Sequence, residues 1–255
     1  MKKSSEKLAS LLQETKKNPN DAGVWLDLGF LYHNDFEDYQ KAKEAYLKAL
    51  EIKPNYADAY FILGHLYYNG FQDREKSEEA YLKVLEIAPR YGDAYYNLGF
   101  LYHNGFQDYA KAKEMYLKAL EIDPNNEAFW LDFGFLCYDG FEDYQQAKEA
   151  YLKVLEINPD YVYAYFFLGF LYQKQFEDFE KAKECYEKAL SLNPNYEDAY
   201  YNLALMGSIQ HDKTESLQYL QKYIALKPKQ YKSDLKTDEN FEWLWEDADF
   251  LNLVK

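Results

Sequence analysis

Residues 98–124 read LGFLYHNGFQDYAKAKEMYLKALEIDP. Two stretches with apolar residues at helical spacing are split by NGFQD, a run of turn formers, so the segment predicts a helical hairpin. Its pattern returns at 28–54 (LGFLYHNDFEDYQKAKEAYLKALEIKP), 63–89, 133–159 and 168–194. The closing prolines, Pro19, Pro54, Pro89, Pro124, Pro159, Pro194 and Pro228, are spaced by 35 residues five times and by 34 once. Gly29, Gly64, Gly99, Gly134 and Gly169 fall mid-helix, where glycine costs about 1 kcal/mol against alanine, a cost that close approach of a partner helix would offset. One hairpin cannot bury its apolar surface alone, whereas stacked copies share a continuous core and need polar caps at each end.

Counted from each proline, an aromatic stands at +6 (Trp25, Tyr60, Tyr95, Trp130, Tyr165), Leu or Phe at +9, Gly at +10 and Tyr at +13. The second stretch carries Ala42, Ala112, Ala147 and Ala182, a Tyr four residues after each, then Ala49 or Val84. At these points the chain resembles the tetratricopeptide repeat (TPR) family over residues 20–228. It departs from the usual repeat of about 34 residues by one extra residue in the hairpin turn, which is similar to the longer Sel1-like units, and Cys137 stands where Tyr is expected. The resemblance implies an all-α fold, a right-handed superhelical solenoid of stacked antiparallel hairpins.

The expected organisation is a capping helix in 1–19, repeats in 20–54, 55–89, 90–124, 125–159 and 160–194, a degenerate sixth in 195–228, and acidic capping helices in 229–255. In the first cap Leu8, Leu11 and Leu12 are expected inward. In the sixth repeat Ala204 replaces Gly and Gly207 replaces Tyr. In the tail Thr237 is the expected helix N-cap, with Phe241, Leu244, Trp245 and Ala248 on one face.

Net charge is -15 at pH 7. With no Lys/Arg stripe, binding to nucleic-acid phosphates is disfavoured. The longest apolar run, YVYAYFFLGFLY at 161–172, has twelve residues, short of the roughly 20 needed to span a membrane. No secretory h-region follows the first lysines, so a cytoplasmic location is expected. Cys137 and Cys185 read as small core residues.

That run would make a helix without a polar side. Tyr165, Leu168, Gly169 and Tyr172 form the hairpin-packing stripe; Tyr163, Phe166, Phe167 and Phe170 form a second, about 200 degrees around the helix. In the family this side of the first helix lines the concave face, where partners usually bind. The equivalent places hold Leu26, Asp27 and Phe30; Phe61, Ile62 and His65; Tyr96, Asn97 and Phe100; Leu131, Asp132 and Phe135; then Tyr201 and Asn202. WLD at 25–27 recurs at 130–132, and YYN at 95–97 recurs at 200–202, a spacing of 105 residues. A duplicated three-hairpin unit follows, and with it two chemically similar half-grooves. The alternative is that these aromatics only pack against the neighbouring repeat.

Asp27, Asp58, Asp93, Asp132, Asp139 and Asp198 are expected on the same side, with Tyr96 and Tyr201 open to cations and Asn97 and Asn202 to a peptide backbone. The ligand expected is a peptide or helix with apolar anchors and positive charge. The family's basic clamp for acidic C-terminal motifs is not matched, because its places hold Leu, Phe, Asp and Ile. His33, His65, His103 and His211 form no metal-ligand spacing, and no nucleophile motif or phosphate loop is present. The expectation is a noncatalytic scaffold without cofactor or metal, monomeric, with a homodimer as the other option. A small-molecule or glycan receptor and a self-assembling array are the competing readings.

Overall fold

The computed structural model describes residues 2–255, in two compact units, Met1–Leu136 and Cys137–Lys255. Helix α1 (Lys2–Lys17) precedes the hairpins α2 (Ala22–Phe36) with α3 (Tyr39–Ile52), α4 (Ala57–His65) with α5 (Arg74–Ile87), and α6 (Gly92–Phe100) with α7 (Tyr109–Ile122), and the first unit ends just beyond α8 (Glu127–Phe135). The second unit holds α9 (Tyr144–Ile157), the hairpins α10 (Val162–Lys174) with α11 (Phe179–Leu192) and α12 (Glu197–Ile209) with α13 (Lys213–Leu226), then α14 (Pro228–Leu235), a 3-10 turn Glu239–Leu244 and α15 (Ala248–Leu253). The described residues outside these elements are π-helical, turn or coil, and within each unit neighbouring helices pack in sequence order, so each unit is an all-α stack of hairpins.

The mid-helix glycines are explained by tyrosine. A Cβ on Gly29 would fall 2.5 Å from the Tyr46 ring, on Gly64 2.6 Å from Tyr81, on Gly99 2.7 Å from Tyr116 and on Gly169 2.8 Å from Tyr186. Each of these tyrosines is the buried residue four places after the small residue of the second helix. The helices can therefore approach until a ring lies flat on bare backbone. In the sixth hairpin, where Ala204 has a Cβ, Leu220 takes the place of the ring.

The extra residue of the longer repeats widens the end of the first helix. Leu66–Gly70, Leu101–Phe106 and Leu136–Gly140 are π-helical turns. In all five longer units an Asp amide reaches back six residues, as Asp73 N to Tyr67 O at 2.9 Å and Asp108 N to Tyr102 O at 2.8 Å. The residue before that Asp, Glu37, Gln72, Gln107, Glu142 or Glu177, sits in the left-handed region with φ between 52 and 57°. The Asp then caps the second helix, accepting the amide three residues on. In the shorter sixth hairpin Asp212 N reaches back five residues to Gly207 O.

Leu11 of α1 is buried with Val24, Leu28 and Leu31, and Leu8 packs beside them, whereas Leu12 is exposed; Thr15, four residues after Leu11, completes the inward face instead. Asp238, not Thr237, caps the 3-10 turn, accepting from Asn240 N, while the Thr237 hydroxyl donates to Asp234 O. Phe241, Leu244, Phe250 and Val254 are buried against Leu203, Leu205 and Leu220, with Trp245 beside them and Ala248 exposed.

Candidate binding face

In the first unit the second stripe of α4 and α6 encloses a recess of 190 Å³. Its walls are His65, Tyr68, Asn69 and Tyr81 from one hairpin and Tyr96, Asn97, Phe100 and Leu101 from the next. Tyr68 meets Phe100 edge-on, centroids 5.9 Å apart and planes at 82°. Tyr96 stacks on Phe129 at 4.7 Å, and its hydroxyl donates to Asp132 Oδ2 at 2.5 Å. The Asn97 amide donates to Asp93 O at 2.7 Å, one turn back in its own helix, which leaves its carbonyl oxygen as the acceptor for other groups. His65 lies edge-on to Phe61 (4.7 Å) and Tyr81 (5.6 Å), and burial lowers its pKa, so at neutral pH it is an uncharged wall.

These contacts revise several expectations. Asp132 and Tyr96 are engaged with each other, and burial raises the Asp132 pKa, so this carboxyl is not an open site for a cation. Asp58 accepts from Tyr91 OH at 3.2 Å. Leu26 and Ile62 pack against the buried Tyr46 and Leu63, while Leu131 and Phe135 are half-buried. Asp27 and Phe30 remain open, Phe30 with 51% of its surface exposed. Trp25 and Trp130 are fixed by donating to the Pro19 and Pro124 carbonyls, 2.9 and 2.8 Å away.

In the second unit the same stripe is largely closed. Phe166 is 9% exposed, held between Tyr186 and Tyr196 with centroids at 5.7 and 5.0 Å. Here packing against the neighbouring repeat wins over an open binding position. Phe167 packs at 5.8 Å from Tyr151 and Phe170 at 6.0 Å from Tyr138. Tyr163 alone of this stripe stands well out, 54% exposed. Asn202 is buried, its amide spent on Asp198 O at 2.8 Å.

The chain's own tail covers α12. Tyr201 OH donates to Asp238 Oδ2 at 2.8 Å and accepts from Asn240 Nδ2 at 3.0 Å; Ser208 donates to Asn240 O at 2.5 Å and accepts from Trp243 Nε1 at 2.6 Å. Burial and then Asp238 push the Tyr201 pKa up to about 12. The two halves repeat in sequence but not in access: one holds a recess, the other is overlaid by residues 238–243.

Tyr68 and Asn69 lie beyond the expected stripe, which ends at His65 in this repeat. Tyr68, three residues beyond His65, continues the same helical face by one step, and that extension was the available signal. Cys137 is buried with its thiol 3.2 Å from Gln146 Oε1, and burial pushes the half-buried Cys185 thiol up to about 11, which argues against reactive thiolates. Among the described residues there is no group of His, Cys, Asp and Glu placed to hold a metal, and no helix long and apolar enough to cross a membrane.

Family models described as TPR repeat match residues 37–70, 142–175 and 177–206, and as tetratricopeptide repeat 57–91 and 92–126; a Sel1 repeat model matches 197–226. Comparison with curated proteins finds no match. Among solved structures, the C-terminal part of a TPR repeat-containing protein from Cytophaga hutchinsonii is similar with TM-score 0.73 and 18% identity, covering 92% of this chain and 95% of that one. The pilF protein of Pseudomonas aeruginosa gives 0.69 and 21%, covering 88% and 100%. YrrB, described as a TPR protein with an unusual peptide-binding site, gives 0.59 and 23%, covering 76% and 99%.

Proposed function

The chain belongs to the tetratricopeptide repeat family, a family of protein-interaction scaffolds, and we propose that it binds a peptide or short helix on the first-helix face of its first unit. The observation that carries this reading is the recess between α4 and α6. It is lined by four aromatic rings, Tyr68, Tyr81, Tyr96 and Phe100, and a neutral histidine, together with the Asn69 and Asn97 amides. Concave sites with mostly apolar walls and a few placed polar groups are the usual form of a binding site. Asp27 and Phe30 on α2 present an acidic and an apolar group on the same stripe, open to a longer ligand.

The ligand's character follows from charge. The chain carries 44 acidic against 29 basic residues, so a basic peptide is drawn to it over an acidic one. Residues 229–255 act as the cap of the last hairpin, since their apolar side chains complete its core. The protein is proposed to be noncatalytic, cytoplasmic and monomeric, working without cofactor.

Selection from a random peptide library, followed by chemical-shift mapping of the best binder on the full chain, tests the reading. Enriched peptides with Lys or Arg beside apolar residues, shifting Tyr68, Tyr96, Phe100 and Phe30, support it. Binders that shift only second-helix residues such as Leu82 and Leu117 contradict it.

A further inference from the structure

The recess is walled mainly by aromatic rings. Tyr68 and Phe100 stand nearly perpendicular, Tyr96 also lines the recess, and His65 and Tyr81 complete it in an edge-to-face pair. Neither Lys nor Arg is among its lining residues. Arg74 lies in an adjoining depression on the far side of Tyr68 and Asn69. At Asn97 one Nδ2 hydrogen is donated to Asp93 O, which fixes the amide and leaves Oδ1 as an acceptor. Aromatic walls, an amide acceptor and a chain of net charge -15 are complementary to a cationic head, which ring faces attract within about 6 Å of the ring centroid.

Resting on the peptide-binding reading above, we infer that this recess is a cage for the cationic head of a single ligand side chain, an arginine guanidinium or lysine ammonium. The internal duplication supplies the comparison. At the places of His65, Tyr68, Asn69, Phe100 and Leu101, 105 residues on, stand Phe170, Gln173, Lys174, Leu205 and Met206. Two ring faces are gone there, Gln173 is buried and accepts from Tyr186 OH at 2.8 Å, and an ammonium stands where Asn69 does. That half is built without a cage and is covered by the tail. The first unit keeps the aromatic walls and the uncharged rim that the equivalent place of the second lacks.

The test uses the full chain and three peptides, Ac-Ala-Arg-Leu-Ala-NH2, the same peptide with citrulline for arginine, and the same with leucine for arginine. Citrulline keeps the shape and hydrogen-bonding edge of arginine and removes the charge. The expected result is that the arginine peptide shifts the ring resonances of Tyr68, Tyr96 and Phe100 and binds about ten-fold more tightly than the citrulline peptide. Asn69→Lys, which installs the side chain that the fifth repeat carries at this place, should abolish that preference while leaving the helical spectrum and melting temperature unchanged. Equal binding of arginine and citrulline peptides, or tighter binding of the leucine peptide at the recess, overturns the cage and leaves the peptide-binding face standing. Shifts confined to Asp27, Phe30 and Tyr163 overturn it in the same way. No shift anywhere with any peptide, together with an empty library selection, overturns both.

Discussion

The Tyr81 ring lies so close to Gly64 that a Cβ there would stand 2.6 Å from Cε1. The same approach recurs at Gly29 and Tyr46, Gly99 and Tyr116, and Gly169 and Tyr186, and it makes the glycine a packing requirement despite its cost to the helix. Gly64→Ala should destabilise the protein by about 1–3 kcal/mol through overpacking, partly offset by the better helix propensity of alanine. Adding Tyr81→Leu, which reproduces the Ala204 and Leu220 combination of the sixth hairpin, should recover part of the loss. A double-mutant cycle in urea denaturation gives the coupling; additive effects would separate the two residues.

Gln72, with φ 55°, holds a left-handed conformation that a side chain disfavours. Gln72→Gly should stabilise by about 1 kcal/mol, the steric relief exceeding the added chain entropy. The other left-handed sites, Glu37, Gln107, Glu142 and Glu177, should respond alike, so the five-fold variant should melt well above the wild type by circular dichroism.

Phe166 and Tyr163 belong to one sequence stripe but to different environments. Phe166→Ala should cost about 3–5 kcal/mol, as for a buried aromatic. Tyr163→Ala should stay within about 0.5 kcal/mol. Parallel denaturant titrations decide this, and equal effects would contradict the burial described for Phe166.

Asp132 is half-buried against Tyr96, and burial raises its folded pKa above the ordinary aspartate value of 3.8. Between those two values the folded state holds more protons than the unfolded one, so this group's contribution to stability falls as pH rises through that window. Asp132→Asn keeps an acceptor for Tyr96 OH and removes the charge. It should be more stable than the wild type at pH 7, with the difference fading as the pH is lowered toward 3.8. A constant difference across that range would contradict the raised pKa.

Much of this molecule was legible because repetition turns one local pattern into several independent statements of it. The hairpins, the glycine approach and the site of the extra residue follow from periodicity, turn residues and the proline ruler. What was not legible depends on contacts distant in sequence. Phe166 is buried because Tyr196, in the next repeat, lies over it. The Asp132 carboxyl is taken up by Tyr96, 36 residues earlier. The tail overlays α12 through Ser208 and Tyr201, which breaks the equivalence of two halves that spell nearly the same motif. Leu12 and Thr237 were misplaced by a single step in helix phase and cap position, the level at which pattern reading is least determined.

The measurement that bears most directly on the account is the affinity of the best library-selected peptide for the wild type and for a Tyr68→Gln, Phe100→Leu variant. Both substitutions use side chains that the chain itself places at the equivalent positions, Gln173 and Leu205. The account predicts a loss of affinity of about ten-fold or more with an unchanged helical spectrum and melting temperature. Undiminished binding by a folded variant would contradict it and move the site away from the recess between α4 and α6.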